Sequence, residues 1–166
     1  LDYCTKSANP VGHPVLYIAG AFTEETARLS DATCTALQLA NFWQDVERDL
    51  VINRVYLPRE DRDRFGYPDI DLHGRRFTPA FASLLKFEVD RTRELFAKGR
   101  PLVARIPGPL AVDVDLFSRG GLAILDRIEA RGYDVLSKRP SIGKLAKVSL
   151  LVRALVGMGL ARLRGK

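Results

Sequence analysis

The stretch from Thr23 to about Ile52 constrains the fold more than any other. Thr23 can cap a helix, and Glu24 and Glu25 follow where the positive end of the helix dipole favours acids. The pattern predicts one helix running on to about Ile52. Within it, positions 38–49 read QLANFWQDVERD. At about 100° per residue, Gln38, Asn41, Asp45 and Asp49 fall within roughly 80° of arc. Leu39, Phe42, Trp43, Val46 and Leu50 run beside them. Gln44, Glu47 and Arg48 fall on the expected solvent side. The helix therefore has an apolar face, an acid-amide face and a solvated face.

Helix punctuation governs the rest of the chain. Pro10 and Gly12 are expected to end a first short segment. Residues 53–77 hold Pro58, Gly66, Pro68 and Gly74, which read as a loop with short turns. Thr78 and Pro79 supply a cap and a first-turn proline for a second long helix, ending near Lys98. Gly108-Pro109 opens a third, ending near Gly132, and Pro140-Ser141 opens a last. No segment alternates with period two between hairpin turns, so the expected class is all-α. The chain has 166 residues, which suits one domain. Residues 1–166 read as a single helical unit without internal repeat or linker.

The net charge of +6 is unevenly placed. Lys138, Arg139, Lys144, Lys147, Arg153, Arg162, Arg164 and Lys166 are unaccompanied by acids, which leaves 18 basic against 20 acidic residues elsewhere. Residues 138–166 therefore suit a membrane surface or a polyanion. The apolar run at 148–160 is broken by Arg153 and falls short of the ~20 residues that cross a bilayer. Two readings stand: a core helix with basic ends, or a helix that also leans on anionic lipid. The basic tail does not interleave exposed aromatics as a single-strand binder does, so no nucleic-acid partner is expected. Cys4 and Cys34 have no metal-ligand spacing, and two unpaired thiols suit a reducing cytoplasm. His13 and His73 are isolated and read as surface or structural residues.

The acid-amide stripe carries the chemistry. Two carboxylates one turn apart repel each other, more so beside apolar neighbours. A cation removes that penalty, and oxygen-only ligands without His or Cys suit Mg²⁺. Asp45, Asp49 and Asn41 are the candidate metal ligands. Mg²⁺ keeps waters and bridges to phosphate, so the stripe beside an apolar wall points to a diphosphate with a greasy tail. Such acid pairs also occur on plain solvated helices, and the stripe alone leaves both readings open. Asp90 and Glu94 are also four apart, but Arg91, Arg93 and Lys98 surround them, so that face reads as salt-bridged and solvated. Arg54 and Tyr56, just after the helix, tip the balance: a guanidinium forks onto phosphate oxygens and a phenol donates to them. Tyr3 lies upstream in a small, apolar neighbourhood.

The segment LQLANFWQDVERDLVINRVYLPRED, positions 37–61, resembles the second aspartate-rich motif of the squalene and phytoene synthase family. YCTKSANPVG, positions 3–12, resembles another segment of that family. More narrowly, SANPVG with NFWQDV is similar to the hopanoid-pathway branch of HpnC-type hydroxysqualene synthases. The resemblance implies an all-α isoprenoid synthase fold and Mg²⁺. It implies that Asp45 and Asp49 bind metal, that Asn41 and Gln38 support metal and diphosphate, and that Arg54 and Tyr56 contact diphosphate. Tyr3 would line the reaction cavity near a carbocation. The implied reaction turns presqualene diphosphate into hydroxysqualene, with HpnD- and HpnE-like pathway partners. The implied location is cytoplasmic, with peripheral contact at the inner membrane. The nearest alternative is head-to-head condensation of two farnesyl or geranylgeranyl diphosphates. An alternative of another class is a basic helical module for membranes or polyanions.

The chain departs from the family pattern in four respects. Gln44 precedes Asp45 where most relatives have Arg, and Arg48 stands where they have an acid; both lie off the stripe on the helical wheel. Asn9-Pro10 replaces Ala-Gly and is expected to reshape the cavity wall. The family's first aspartate-rich motif has no substitute here, since Asp61/Asp63, Asp69/Asp71 and Asp113/Asp115 are each two apart. With Leu1 opening inside a patterned segment, the chain is expected to be the later part of a longer enzyme, binding metal-diphosphate poorly and inactive as it stands.

Overall fold

The structure, a computed structural model, describes residues 1–143. The order of helices there is α1 (Asp2–Ser7), α2 (Asn9–Ile18), α3 (Glu24–Val51), α4 (Arg59–Arg64), α5 (Asp69–His73), α6 (Pro79–Gly99) and α7 (Gly108–Glu129), with a 3-10 turn at Arg100–Ala104. Among the described residues there is no strand, as the absence of period-two patterning predicts. None of the described helices is long and apolar enough to cross a membrane. The apolar run at 148–160 and most of the basic segment lie outside the described residues, as does the helix expected after Pro140-Ser141.

Helix α3 organises the rest. Thr23 caps it as predicted: its Oγ1 accepts from the Thr26 N–H at 3.1 Å, and Thr26 Oγ1 accepts from the Thr23 N–H at 2.8 Å. The helix packs mainly against α6, with α2 and α7 on its other flanks. Leu39, Phe42, Trp43 and Val46 are buried, as their shared face predicts. Trp43 is fully buried, and its Nε1–H donates to Thr92 Oγ1 of α6 at 2.8 Å, so the polar end of the largest core side chain is satisfied. Gly99 lets the end of α6 meet α3: a Cβ there would stand 2.2 Å from Thr33 Oγ1 and 2.9 Å from the Thr33 backbone N.

Several expectations need correcting. Pro10 and Gly12 do not end the first segment. Pro10 occupies the first turn of α2, where its missing N–H costs nothing, and Gly12 sits inside that helix against Ser30 and Cys34. Residues 53–77 contain α4 and α5, helices of six and five residues, too short to show periodicity. His13 is not isolated, since its Nε2 lies 2.8 Å from Asp31 Oδ1. Asp90 and Glu94 are exposed as expected, but Arg93 pairs with Asp126 and Glu129 of α7, and Arg91 with Glu88 and Asp61. Asp61, Asp63, Asp69, Asp71 and Asp115 each pair with an arginine. Those aspartates are accounted for by local structure.

Candidate active site

The stripe forms along one flank of α3. Asn41 is exposed, while Gln38, Asp45 and Asp49 are half-buried. Burial first, and then the neighbouring Asp45 charge, push the Asp49 carboxyl above the ordinary carboxylate value, against a pull from Arg54. The folded chain thus holds negative charge at an energetic cost, which a cation offsets.

The end of α3 places Arg54 by backbone geometry. Asn53 takes a left-handed conformation with φ 55°. The Arg54 N–H donates to the Asp49 carbonyl at 2.8 Å, and the Asn53 N–H to the Leu50 carbonyl at 3.1 Å. This paired closure is the one helices use when an Asn or Gly follows the last turn. It folds the chain back so that Arg54, exposed, stands next to Asp49.

Tyr3, Phe42 and Tyr56 form an aromatic shelf beside the stripe. Phe42 and Tyr56 stack with centroids 3.8 Å apart. Tyr3 tilts against both, at 5.8 Å from Phe42 and 5.6 Å from Tyr56. Burial first, and then the Tyr3 hydroxyl, push the Tyr56 phenol above its ordinary value, so it stays a hydrogen-bond donor at neutral pH. Tyr3 itself is 53% exposed.

Two features escaped the sequence. The first is an apolar cavity of about 370 Å³, wide open to solvent, at the Asn41 end of the stripe, lined on the α7 side by Leu116, Phe117, Gly120 and Ile124. The apolar spacing of α7 looks like that of any core helix and gave no signal of a cavity. The second is the strap at 139–140. Gln44 and Arg48 were both placed off the stripe, but Gln44 is buried. Its Nε2 donates to the Pro140 carbonyl at 2.7 Å, and its Oε1 accepts from Arg139 at 3.0 Å. Arg139 also forks onto Asp45, with Nε to Oδ1 at 2.5 Å and Nη2 to Oδ2 at 3.0 Å. Arg48 is exposed as expected, though its guanidinium reaches 3.9 Å from Asp45. Glu47 is half-buried and pairs with Arg75 at 3.1 Å. Asn9 is buried in α2, and its Oδ1 accepts from Thr35 of α3 at 2.8 Å.

The donor set fits a hard divalent ion. Among the described residues no three His, Cys, Asp or Glu side chains converge, so no all-protein metal cage exists there. Two carboxylates from one helix with an adjacent amide match the sparse set that Mg²⁺ accepts alongside water and phosphate. A guanidinium already sits on Asp45 in the place of a cation.

Comparison with known proteins gives a consistent result. The family model described as squalene/phytoene synthase matches residues 1–146. A hydroxysqualene synthase from Rhodopseudomonas palustris is 37% identical over 141 residues, covering 84% of this chain and 47% of that protein. A phytoene synthase from Thermus thermophilus is 32% identical over 155 residues, covering 93% of this chain and 53% of that protein. The chain thus spans about half the length of these relatives. The crystal structure of squalene synthase HpnC from Alicyclobacillus acidocaldarius superimposes with a TM-score of 0.79 at 48% identity, over 80% of this chain and 51% of that one. A dehydrosqualene synthase at 20% identity shares the fold, with a TM-score of 0.81 over 95% of this chain and 56% of that one. With its central motif, its helical fold and its family match in agreement, the chain belongs to the squalene/phytoene synthase family.

Proposed function

We propose that this chain forms the diphosphate-binding wall of a Mg²⁺-dependent synthase that turns presqualene diphosphate into hydroxysqualene. The observation that carries the reading is one flank of α3. There the Gln38-Asn41-Asp45-Asp49 stripe borders both the aromatic shelf and the α7 cavity. The likeness to a hydroxysqualene synthase and to an HpnC squalene synthase supports the branch.

Each residue has a role in this reading. Asp45 and Asp49 hold the metal, with Asn41 beside them. Bound Mg²⁺ supplies the charge that offsets a departing diphosphate. Gln38 and Asn41 donate amide N–H groups to phosphate oxygens. Arg54 forks onto the same group and Tyr56 donates its phenolic proton. The exposed ring of Tyr3 attracts positive charge left on the hydrocarbon, and Phe42 and Tyr56 back it. Leu116, Phe117 and Ile124 offer an apolar surface to the greasy tail. The reading includes a cytoplasmic location, peripheral contact at the inner membrane through residues 138–166, and HpnD- and HpnE-like pathway partners. The apolar product gives a physical reason for membrane proximity.

The test is product analysis with the complete gene product and Mg²⁺. A C30 alcohol from presqualene diphosphate supports the reading. Condensation of farnesyl or geranylgeranyl diphosphate, with no turnover of presqualene diphosphate, replaces it by the head-to-head alternative, which the phytoene synthase relative keeps in view. No reaction with any of them, and salt-sensitive vesicle binding that ignores Mg²⁺, favours the basic-module reading. Gly120→Leu is a second check. A Cβ at Gly120 meets nothing within 4 Å, so the added side chain enters the cavity rather than the core. Turnover is expected to fall at least tenfold, with the melting temperature held within roughly 2 °C.

A further inference from the structure

The reading above gives Asp45 to a metal ion, yet the structure gives it to Arg139. The contact is built rather than incidental. Arg139 makes both arms of a fork on Asp45 and a third bond to Gln44 Oε1. Gln44 is buried and its amide nitrogen donates to the Pro140 carbonyl, so adjacent residues of α3 grip adjacent residues of the strap. Asp49, one turn further along α3, makes no ion pair with any described residue. A metal placed on Asp45 and Asp49 together meets Asp45 oxygens that Arg139 already engages, and its charge repels a guanidinium held that close.

We propose that Arg139 is a tethered counter-cation of the metal seat. It holds Asp45 when metal is absent and must let go for metal to bind, with Gln44 as the tie that returns it. Metal binding and strap release are then one event. A free divalent ion binds weakly because it competes with a guanidinium anchored through the chain. The inference rests on the metal reading of Asp45.

The test is Mn²⁺ binding to the complete gene product, followed by the electron paramagnetic resonance of the free ion. Arg139→Gln removes the competitor and is expected to tighten Mn²⁺ about tenfold, the scale of one charge-assisted fork. Gln44→Met loosens the strap without changing charge and is expected to tighten it a few-fold. Lys138→Gln removes an equal charge next door and is expected to change affinity less than twofold. Cleavage after Lys138 by a lysine-specific protease should also speed up when Mn²⁺ is added to the wild type. Unchanged or weaker binding in Arg139→Gln, with binding still lost in Asp45→Asn, overturns the tethered cation and leaves the metal reading standing. Equal gains in Arg139→Gln and Lys138→Gln also overturn it, since bulk charge then accounts for the effect. No Mn²⁺ binding in the wild type or any variant overturns the metal reading, and the inference with it.

Discussion

Asp49→Asn is expected to lower turnover of a prenyl diphosphate by at least a hundredfold while leaving the fold slightly more stable. The two effects have one cause. Asn keeps the shape of Asp but removes the charge a divalent ion needs, and losing a metal or electrostatic group of this kind typically costs 10²–10³ in rate. In the folded chain that charge is unfavourable, because burial and Asp45 both push the Asp49 carboxyl upward. Asp49 has no ion-pair partner among the described residues whose loss would offset the relief. The expected melting temperature is therefore unchanged or higher by roughly a degree or two. A structural carboxylate would behave in the opposite way, with lower stability and activity following it down. Steady-state kinetics on the complete gene product, with calorimetry on the same samples, separates the two.

The second large effect concerns Glu88, a buried residue of α6. Glu88 is fully buried, with Oε2 2.5 Å from Arg91 Nη2 and no partner for Oε1. Arg91 also reaches Asp61 of α4 at 3.5 Å, so two carboxylates share one guanidinium. Burial outweighs the arginine and lifts the Glu88 carboxyl from an ordinary 4.5 to about 8. The folded-state value lies above the unfolded one, so folding favours the protonated form. The stability that form contributes is fully present below pH about 4.5 and is lost as the pH rises through about 8. The amplitude is on the order of a few kcal/mol, from 1.36 kcal/mol per unit. Denaturant melts at intervals from pH 5 to pH 9 should show wild type losing stability relative to Glu88→Gln, which has no proton to lose. Parallel curves for the two proteins would sink the assignment. The consequence reaches the site, because Asp61 ends the YLPRED segment that begins at Tyr56 and is tied to α6 through Arg91.

Much of the frame was legible from local chemistry. Thr23, Glu24 and Glu25 announce the start of α3, and Thr78-Pro79 that of α6, because caps and first-turn residues act within four positions of themselves. The apolar arc through Leu39, Phe42, Trp43 and Val46 foretold burial, because one helix face meets one partner. The same wheel misplaced Gln44. Burial of a polar side chain depends on who satisfies it, and its partners Arg139 and Pro140 lie 95 and 96 positions away. The cavity at α7 was hidden for a related reason. Phe117 and Ile124 are apolar whether they fill a core or line a hole, and only the distance to α3 distinguishes the two. Pro10 misled because proline ends a helix from inside but opens one from its first turn, and sequence alone did not say which. The positions of Arg54 and Tyr56 were inferred from their types. Their placement comes from the left-handed turn at Asn53, a conformation that asparagine tolerates but does not require.

Diffraction from crystals soaked with Mn²⁺ and inorganic diphosphate, at a wavelength where manganese scatters anomalously, tests the stripe most directly. The expected result is an anomalous peak about 2.0–2.2 Å from carboxylate oxygens of Asp45 and Asp49, with diphosphate oxygens on its open side, Arg54 turned toward them, and Arg139 displaced from Asp45. Diphosphate bound with no manganese at these two residues, or manganese held elsewhere with the Arg139–Asp45 fork intact, would contradict a metal role for the stripe.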